Sequence, residues 1–393
     1  MPRAALIAVM LVLLALSAAA KDPHLDLSLV PSGCAGCHEG HGSSGSPMLG
    51  TPQKSVCLSC HESQEAIDRQ KALGKIGGHA KPPIVGADLA LPFKHPVSDK
   101  AFSEHEEGTV ACTSCHSPHR RSGGLGTPAG QPKPSPRDPR KREHELCDGC
   151  HGGLGPVIGS RSMGQRVDPG SVSSHPVRAS AKDRSPSVRP ELAGKEINCS
   201  DCHGGRPGQS ARGVHGSTVR GLLVKNYAAT DGAADPATGY ELCWDCHEAK
   251  AVMDESRSTF PLHKLHVMKE HASCATCHDA HGSSVNRSLV PFGIGGVPVA
   301  GVSPSIKAGS LSFNSDAPGS GTCSLTCHGY DHAPESYGLK SIAALKGGLR
   351  PTLGAPLPGD PGQRRRGVGD IPRMPRVPRT LPTRDAGDPE VRP

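Results

Sequence analysis

Hydrophobic residues bunch at the start of this 393-residue chain and are thinly spread over the rest. Residues 4–16 form an unbroken apolar run, preceded by Arg3 and followed by Ala18, Ala19 and Ala20. That order is the signature of a secretory signal peptide, with cleavage expected after Ala20. The run is short for a membrane span and nothing later replaces it, so no transmembrane segment is expected after cleavage. Without a cysteine at the cut, a lipid anchor is not indicated either. Beyond residue 20 neither the 3.6-residue rhythm of an amphipathic helix nor the alternation of a half-buried strand is sustained. The pattern therefore predicts loops and very short elements.

Composition sharpens this picture. Only 3% of residues are aromatic, while Gly numbers 49 and Pro 38. Burial of apolar surface offsets the entropy lost on ordering a chain, so a sequence of this kind needs a filler that is not peptide. An exported protein also lies where paired cysteines ordinarily form disulfides.

The sixteen cysteines are not scattered. Seven pairs read CxxCH: Cys34/Cys37/His38, Cys57/Cys60/His61, Cys112/Cys115/His116, Cys147/Cys150/His151, Cys199/Cys202/His203, Cys243/Cys246/His247 and Cys274/Cys277/His278. The eighth is wider, Cys323/Cys327/His328 in CSLTCH. At this composition chance supplies about 0.04 CxxCH strings. Cysteines three apart lie on one face of a helical turn, so both thiols reach the two vinyl groups along one porphyrin edge, while the next histidine swings under the iron. That is the spacing of c-type haem attachment. In the eighth motif the extra residue must bulge to keep both sulfurs in reach. A disulfide framework gives no reason for a histidine after every second cysteine, and zinc ribbons need none there.

The motifs repeat in two alternating kinds. The first, third and seventh are followed at once by another histidine (His41, His119, His281), whereas the second, fourth and sixth are not. First-kind motifs begin at Cys34, Cys112, Cys199 and Cys274, which divides the chain into four two-motif modules at 21–75, 76–158, 159–255 and 256–338.

With HPV at His95 and His175, CHxxHGS at His278 and His281, and LCxxCH at Cys147 and Cys243, residues 24–332 resemble the doubled-CxxCH multihaem c-type cytochromes. The departures are a second histidine displaced to His215 in the third module, the widened eighth motif, and a first module with only His24 ahead of it. The resemblance implies a loop-rich multihaem cytochrome fold with short α-helices at the motifs, a core of packed haems, and little or no β-sheet. It implies eight covalently attached haem c groups. It also implies sixth ligands: His24, His95, His175 and His266 upstream of each first motif, and His41, His119, His215 and His281 downstream, with His263 a close rival of His266. His79, His105, His144, His271 and His332 are then left as solvated or propionate-bonding side chains. Met48, Met163, Met253 and Met268 follow no motif pattern and read as packing residues, as does Trp244.

If every iron has two histidine ligands, no axial position is open and the expected role is electron transfer rather than catalysis. About forty residues then serve each haem, which crowds the macrocycles into a chain or branched wire. The formal charge of +7 carries little information about nucleic acid, since residues 340–393 alone hold eleven Lys/Arg against five Asp/Glu and interleaved aromatics are lacking. That Pro/Arg-rich tail, from 339, is expected to be disordered. Residues 120–143 and 152–195 read as linkers. The leading reading is a periplasmic or extracellular conduit between periplasmic donors and outer-membrane or extracellular acceptors, partnered by redox proteins, an outer-membrane conduit or further copies in a filament. An octahaem reductase of nitrite, hydroxylamine or a sulfur oxyanion is the alternative; it needs one open iron, often marked by CxxCK, which does not occur.

Overall fold

A computed structural model of the chain describes residues 23–39, 48–98, 108–119, 143–152, 163–178, 185–208, 211, 213–232, 235–292, 301–317 and 319–338. The expected signal peptide, most of the linker at 120–143, and the tail from 339 lie outside them. The chain divides into two units, Met1–Gly347 and Gly348–Pro393, and the description concerns the first.

Helices are short. The longest described ones, Gln53–His61, Gln64–Ala72 and Glu143–His151, have nine residues each. Glu62 ends the first of these and Ser63 starts the second: the Ser63 backbone is extended, and its hydroxyl accepts from Ala66 N at 3.2 Å, satisfying one orphan donor of the new helix. Ile67 on that helix packs on Ile76 and Ala80 in a small apolar cluster. Four other motifs form single turns, at Cys112–Cys115, Cys199–Cys202, Glu241–Trp244 and Cys274–Cys277, and the first motif makes a 3-10 turn at Gly33–Gly36. Such turns are below the length at which a helix stands alone, so their stability must come from what they pack against. Among the described residues no helix is long and apolar enough to cross a membrane.

Among the described residues there are two sheets. The smaller joins β1 (Ser173–Ser174) to β2 (Gly282–Ser283), tying the approach to the fifth motif to the exit from the seventh. The larger is antiparallel: β5 (Ser320–Cys327) pairs with β3 (Val302–Ser303), β4 (Ser312–Ala317) and β6 (Tyr330–Tyr337). This sheet departs from the expectation of little or no β structure, and it carries the eighth motif, which therefore sits on a strand rather than a helical turn. The reason is local. β5 alternates so that Leu325 faces Val302, Phe313, Tyr337, Val290 and Phe292 in the largest apolar cluster described. Gly321 makes room for it, since a Cβ there would meet Tyr337 Oη at 2.6 Å.

Candidate functional site

Each motif is a mechanical unit. In the first, third, fifth, sixth and seventh, the histidine N–H donates to the carbonyl of the first cysteine at 2.8–3.0 Å, so both thiols and the imidazole leave the same turn. After the turn the two kinds of motif part. His116, His203 and His278 take extended backbone and lead straight out, whereas His61 and His151 close nine-residue helices.

The imidazoles meet in pairs. The first seven motif histidines, His38, His61, His116, His151, His203, His247 and His278, each face a second ring, belonging respectively to His119, His24, His215, His95, His281, His175 and His263, with centroids 5.8–6.3 Å apart. An eighth pair, His266 and His332, stands at 6.3 Å. The pairing follows a rule. Within each of the first three modules, the upstream histidine (His24, His95, His175) faces the histidine of the second motif. The first motif is faced instead from the following module, by His119, His215 and His281. The fourth module has no successor among the motifs, and His263 takes that place opposite His278.

All sixteen rings line one continuous cavity of about 4640 Å³, together with every motif cysteine. Shared among eight, that is about 580 Å³ each, within the range of about 300–1,000 Å³ typical of a single ligand pocket. Residues 29–66 and 192–252 match the family model of the doubled CXXCH motif. The chain carries the doubled CXXCH motif of multihaem c-type cytochromes. No curated protein and no solved structure matches it.

These motifs imply covalently bound haem c, and the residues fit that group. Two metal–nitrogen bonds of about 2.0–2.1 Å and two ring radii of about 1 Å put the centroids of opposed imidazoles about 6 Å apart, the spacing found here. Nine of the Nδ1 atoms are engaged elsewhere, while that of His215 is buried without a partner among the described residues: His61 with Pro83 O at 2.8 Å, His203 with Gly221 O at 2.9 Å, His278 with Ser288 O at 2.8 Å, His95 with Val214 O at 3.2 Å, and His175 with Ala280 O. His247 and His263 use the hydroxyls of Ser187 and Ser258, His281 the Asp279 carboxylate, and His266 the Leu262 carbonyl. A proton held on Nδ1 leaves the Nε2 lone pair as the ligand. Burial keeps several of these rings neutral: His247 is pushed down to about 4 and His263 to about 3 by desolvation, with neighbouring histidines adding to it.

The thiols are also ordered. Burial first, and neighbouring thiols next, push Cys202, Cys274 and Cys277 up to about 12, so in the protein alone they stand as S–H groups. Those neighbours run in chain order: Cys37 feels Cys60, Cys57 contacts Cys112, Cys115 feels Cys150, Cys147 contacts Cys199, Cys202 feels Cys246, Cys274 feels Cys243, and Cys277 feels both Cys323 and Cys327. Successive motifs thus neighbour one another through alternating cysteines, with direct thiol contact at Cys57–Cys112 and Cys147–Cys199.

Two clamps set this spacing, and sequence reading did not single them out. Gln53 bonds Thr113 through Nε2 to Oγ1 at 3.0 Å and through Oε1 to its N–H at 3.1 Å. Glu143 accepts from Ser200 N at 2.6 Å and from its hydroxyl at 2.7 Å. Each clamp residue lies four before the first cysteine of a second-kind motif, and each partner follows the first cysteine of the next motif. That register was the available signal. Glu143, Cys147 and Cys199 also bring three ligand atoms within 4.8 Å, but the carboxylate is committed to Ser200.

Fourteen of the sixteen expected imidazoles fall in the facing pairs. His41 lies outside the described residues, as does His105. Among the described residues His328 faces no ring, and it does not line the cavity; its Nε2 lies 2.6 Å from Asp231 Oδ2. His332, expected to be a bystander, stands opposite His266, and both rivals His263 and His266 are used. His79, His144 and His271 have no facing ring among the described residues. Trp244 packs edge-on to Tyr240 and donates to Pro236 O at 2.9 Å.

Proposed function

We propose that this chain is an exported octahaem c-type cytochrome that carries electrons along a row of bis-histidine haems, between periplasmic donors and outer-membrane or extracellular acceptors. The observation that carries this reading is that each of the first seven motif histidines is faced by a second imidazole at 5.8–6.3 Å, which leaves no axial side for a substrate. Haem supplies one-electron Fe3+/Fe2+ chemistry when bound. The chain does the rest: thiols would anchor one edge of each group, and Nδ1 partners would hold nine of the imidazoles as neutral ligands. Paired imidazoles favour potentials below those of His/Met cytochromes. The thiol order supports a single unbranched row running in sequence order, from the Cys34/Cys37 motif towards the Cys323/Cys327 end. Export rests on the N-terminal apolar run, and the partners fitting that location are redox proteins, an outer-membrane conduit or further copies of this chain.

Electron paramagnetic resonance of the oxidised full-length protein, matured in a host that attaches haem c, tests the reading. Only low-spin ferric signals are expected. A high-spin signal that changes on adding nitrite or hydroxylamine would instead establish the reductase.

A further inference from the structure

The eighth motif is built differently from the other seven. His328 and Gly329 have φ of +47° and +84° between Cys327 and Tyr330, which pair across the strands; two left-handed residues joining antiparallel strands make a tight hairpin turn. In five other motifs the histidine N–H returns to the first cysteine, but His328 N donates to Gly301 O at 3.0 Å. Its ring lies over Gly301, where a Cβ would come within 2.8 Å of Cε1. Its Nε2 is held 2.6 Å from Asp231 Oδ2, and Asp231 is fastened in turn by Ser273 N at 2.7 Å and by the Thr276 hydroxyl. The nitrogen that would bind iron is thus already engaged, outside the cavity.

His332 occupies the vacated role. It stands directly across from Leu325, and residues opposed in an antiparallel pair share a face, as do Leu325 and Cys327 two apart on β5. His332, Cys323, Cys327 and His266 all line the cavity, and His266 faces His332 at the spacing of the other pairs. The modular rule agrees: in the first three modules the upstream histidine faces the second motif's histidine, and in the fourth it faces His332.

We propose that the eighth haem is anchored by Cys323 and Cys327 and ligated by His332 and His266, with His328 serving as a structural clasp between the hairpin and Asp231. This rests on the multihaem reading above. In the attachment, each thiol adds across one vinyl group: the sulfur bonds to the inner carbon, its hydrogen ends on the outer carbon, the vinyl π bond is consumed, and nothing is oxidised, reduced or expelled.

The test compares full-length wild type, H328A, H332A and H332M, matured in a haem-attaching host, by intact mass and by electron paramagnetic resonance of the oxidised protein. Wild type and H328A are expected to carry eight haems, all low-spin. H332A is expected to convert one haem in eight to high spin, and H332M to shift one haem to a His/Met spectrum. A high-spin signal in H328A, or an unchanged all-bis-histidine spectrum in H332A or H332M, overturns the proposal. A wild type with seven haems overturns it while leaving the conduit intact, and a wild type with no haem overturns the conduit itself. If H332A does not accumulate, H328A and H332M decide alone.

Discussion

Asp279 offers the sharpest way to tune one position in the row. Its side chain is 2% exposed, and Oδ1 takes both the Nδ1 of His281 at 2.9 Å and its backbone N–H at 3.0 Å, while Oδ2 meets Arg166 Nη1 at 3.2 Å. His281 faces His203, so on the proposed function the carboxylate would act on the haem held at the fifth motif through its second imidazole. A carboxylate on Nδ1–H makes imidazole more basic and favours ferric over ferrous iron. Asp279→Asn keeps the shape and removes the charge; each tenfold loss of ferric preference raises the midpoint potential by about 59 mV. Asp279→Ala removes the orientation too, with a loss of about 10–100-fold in ligand affinity, or about 1.4–2.8 kcal/mol. It also strands Arg166, whose side chain is 19% exposed, at the low end of the roughly 3–5 kcal/mol of a broken buried pair. Spectroelectrochemical titration should find one haem of the set shifted upward in Asp279→Asn, and a high-spin fraction with a lowered melting temperature in Asp279→Ala. Potentials and spin states equal to wild type in both variants would refute the role given to this carboxylate.

Other expectations follow from the same geometry. The facing rings fall into two classes in the first three modules: tilts of 23°, 10° and 15° at His38, His116 and His203, against 49°, 59° and 54° at His61, His151 and His247. Near-parallel imidazoles give rhombic low-spin ferric spectra and strongly tilted ones a larger g anisotropy, so resonance should resolve both families, and a single uniform signal would contradict the alternation. For pH, burial first and the neighbouring His175 and His278 next hold folded His247 at about 4, against about 6.5 in the unfolded chain. Between those values the unfolded chain binds a proton that the folded one does not, so stability present above pH 6.5 falls on acidification by up to about 1.4 kcal/mol per unit, with a ceiling near 3 kcal/mol for this partly buried ring, and levels off below pH 4. The midpoint of chemical denaturation should be flat above pH 6.5 and fall between pH 6.5 and 4; a midpoint constant across that window would contradict the assignment. Glu143→Ala should loosen the contact between the fourth and fifth motifs, costing about 1.5–3 kcal/mol for each of the two hydrogen bonds to a charged group, as a drop in midpoint by chemical denaturation. Glu143→Gln, which keeps an accepting oxygen, should lose only part of that.

The attachment chemistry was legible in sequence because it is local. Three or four residues of backbone decide whether two thiols and an imidazole leave the same turn, and CxxCH states that outright at Cys34 or Cys274. Histidines beside motifs could be gathered as ligands on a resemblance, but their partners could not be read. His38 and His119, or His203 and His281, belong to different modules, and only the folded path brings each to the other.

The eighth motif marks the boundary between the two kinds of information. Its string still ends in Cys-His, yet β5 imposes a strand's alternation in place of a helical turn, the hairpin swings His328 out to Asp231, and His332 comes round opposite His266. Nothing within CSLTCHGYDH specifies that exchange, because it depends on Leu325 packing against Val302, Phe313 and Tyr337 from separate strands. The sequence by itself determined where haem is anchored. The tertiary structure decided which imidazoles face one another, since that choice is made by packing between segments far apart along the chain.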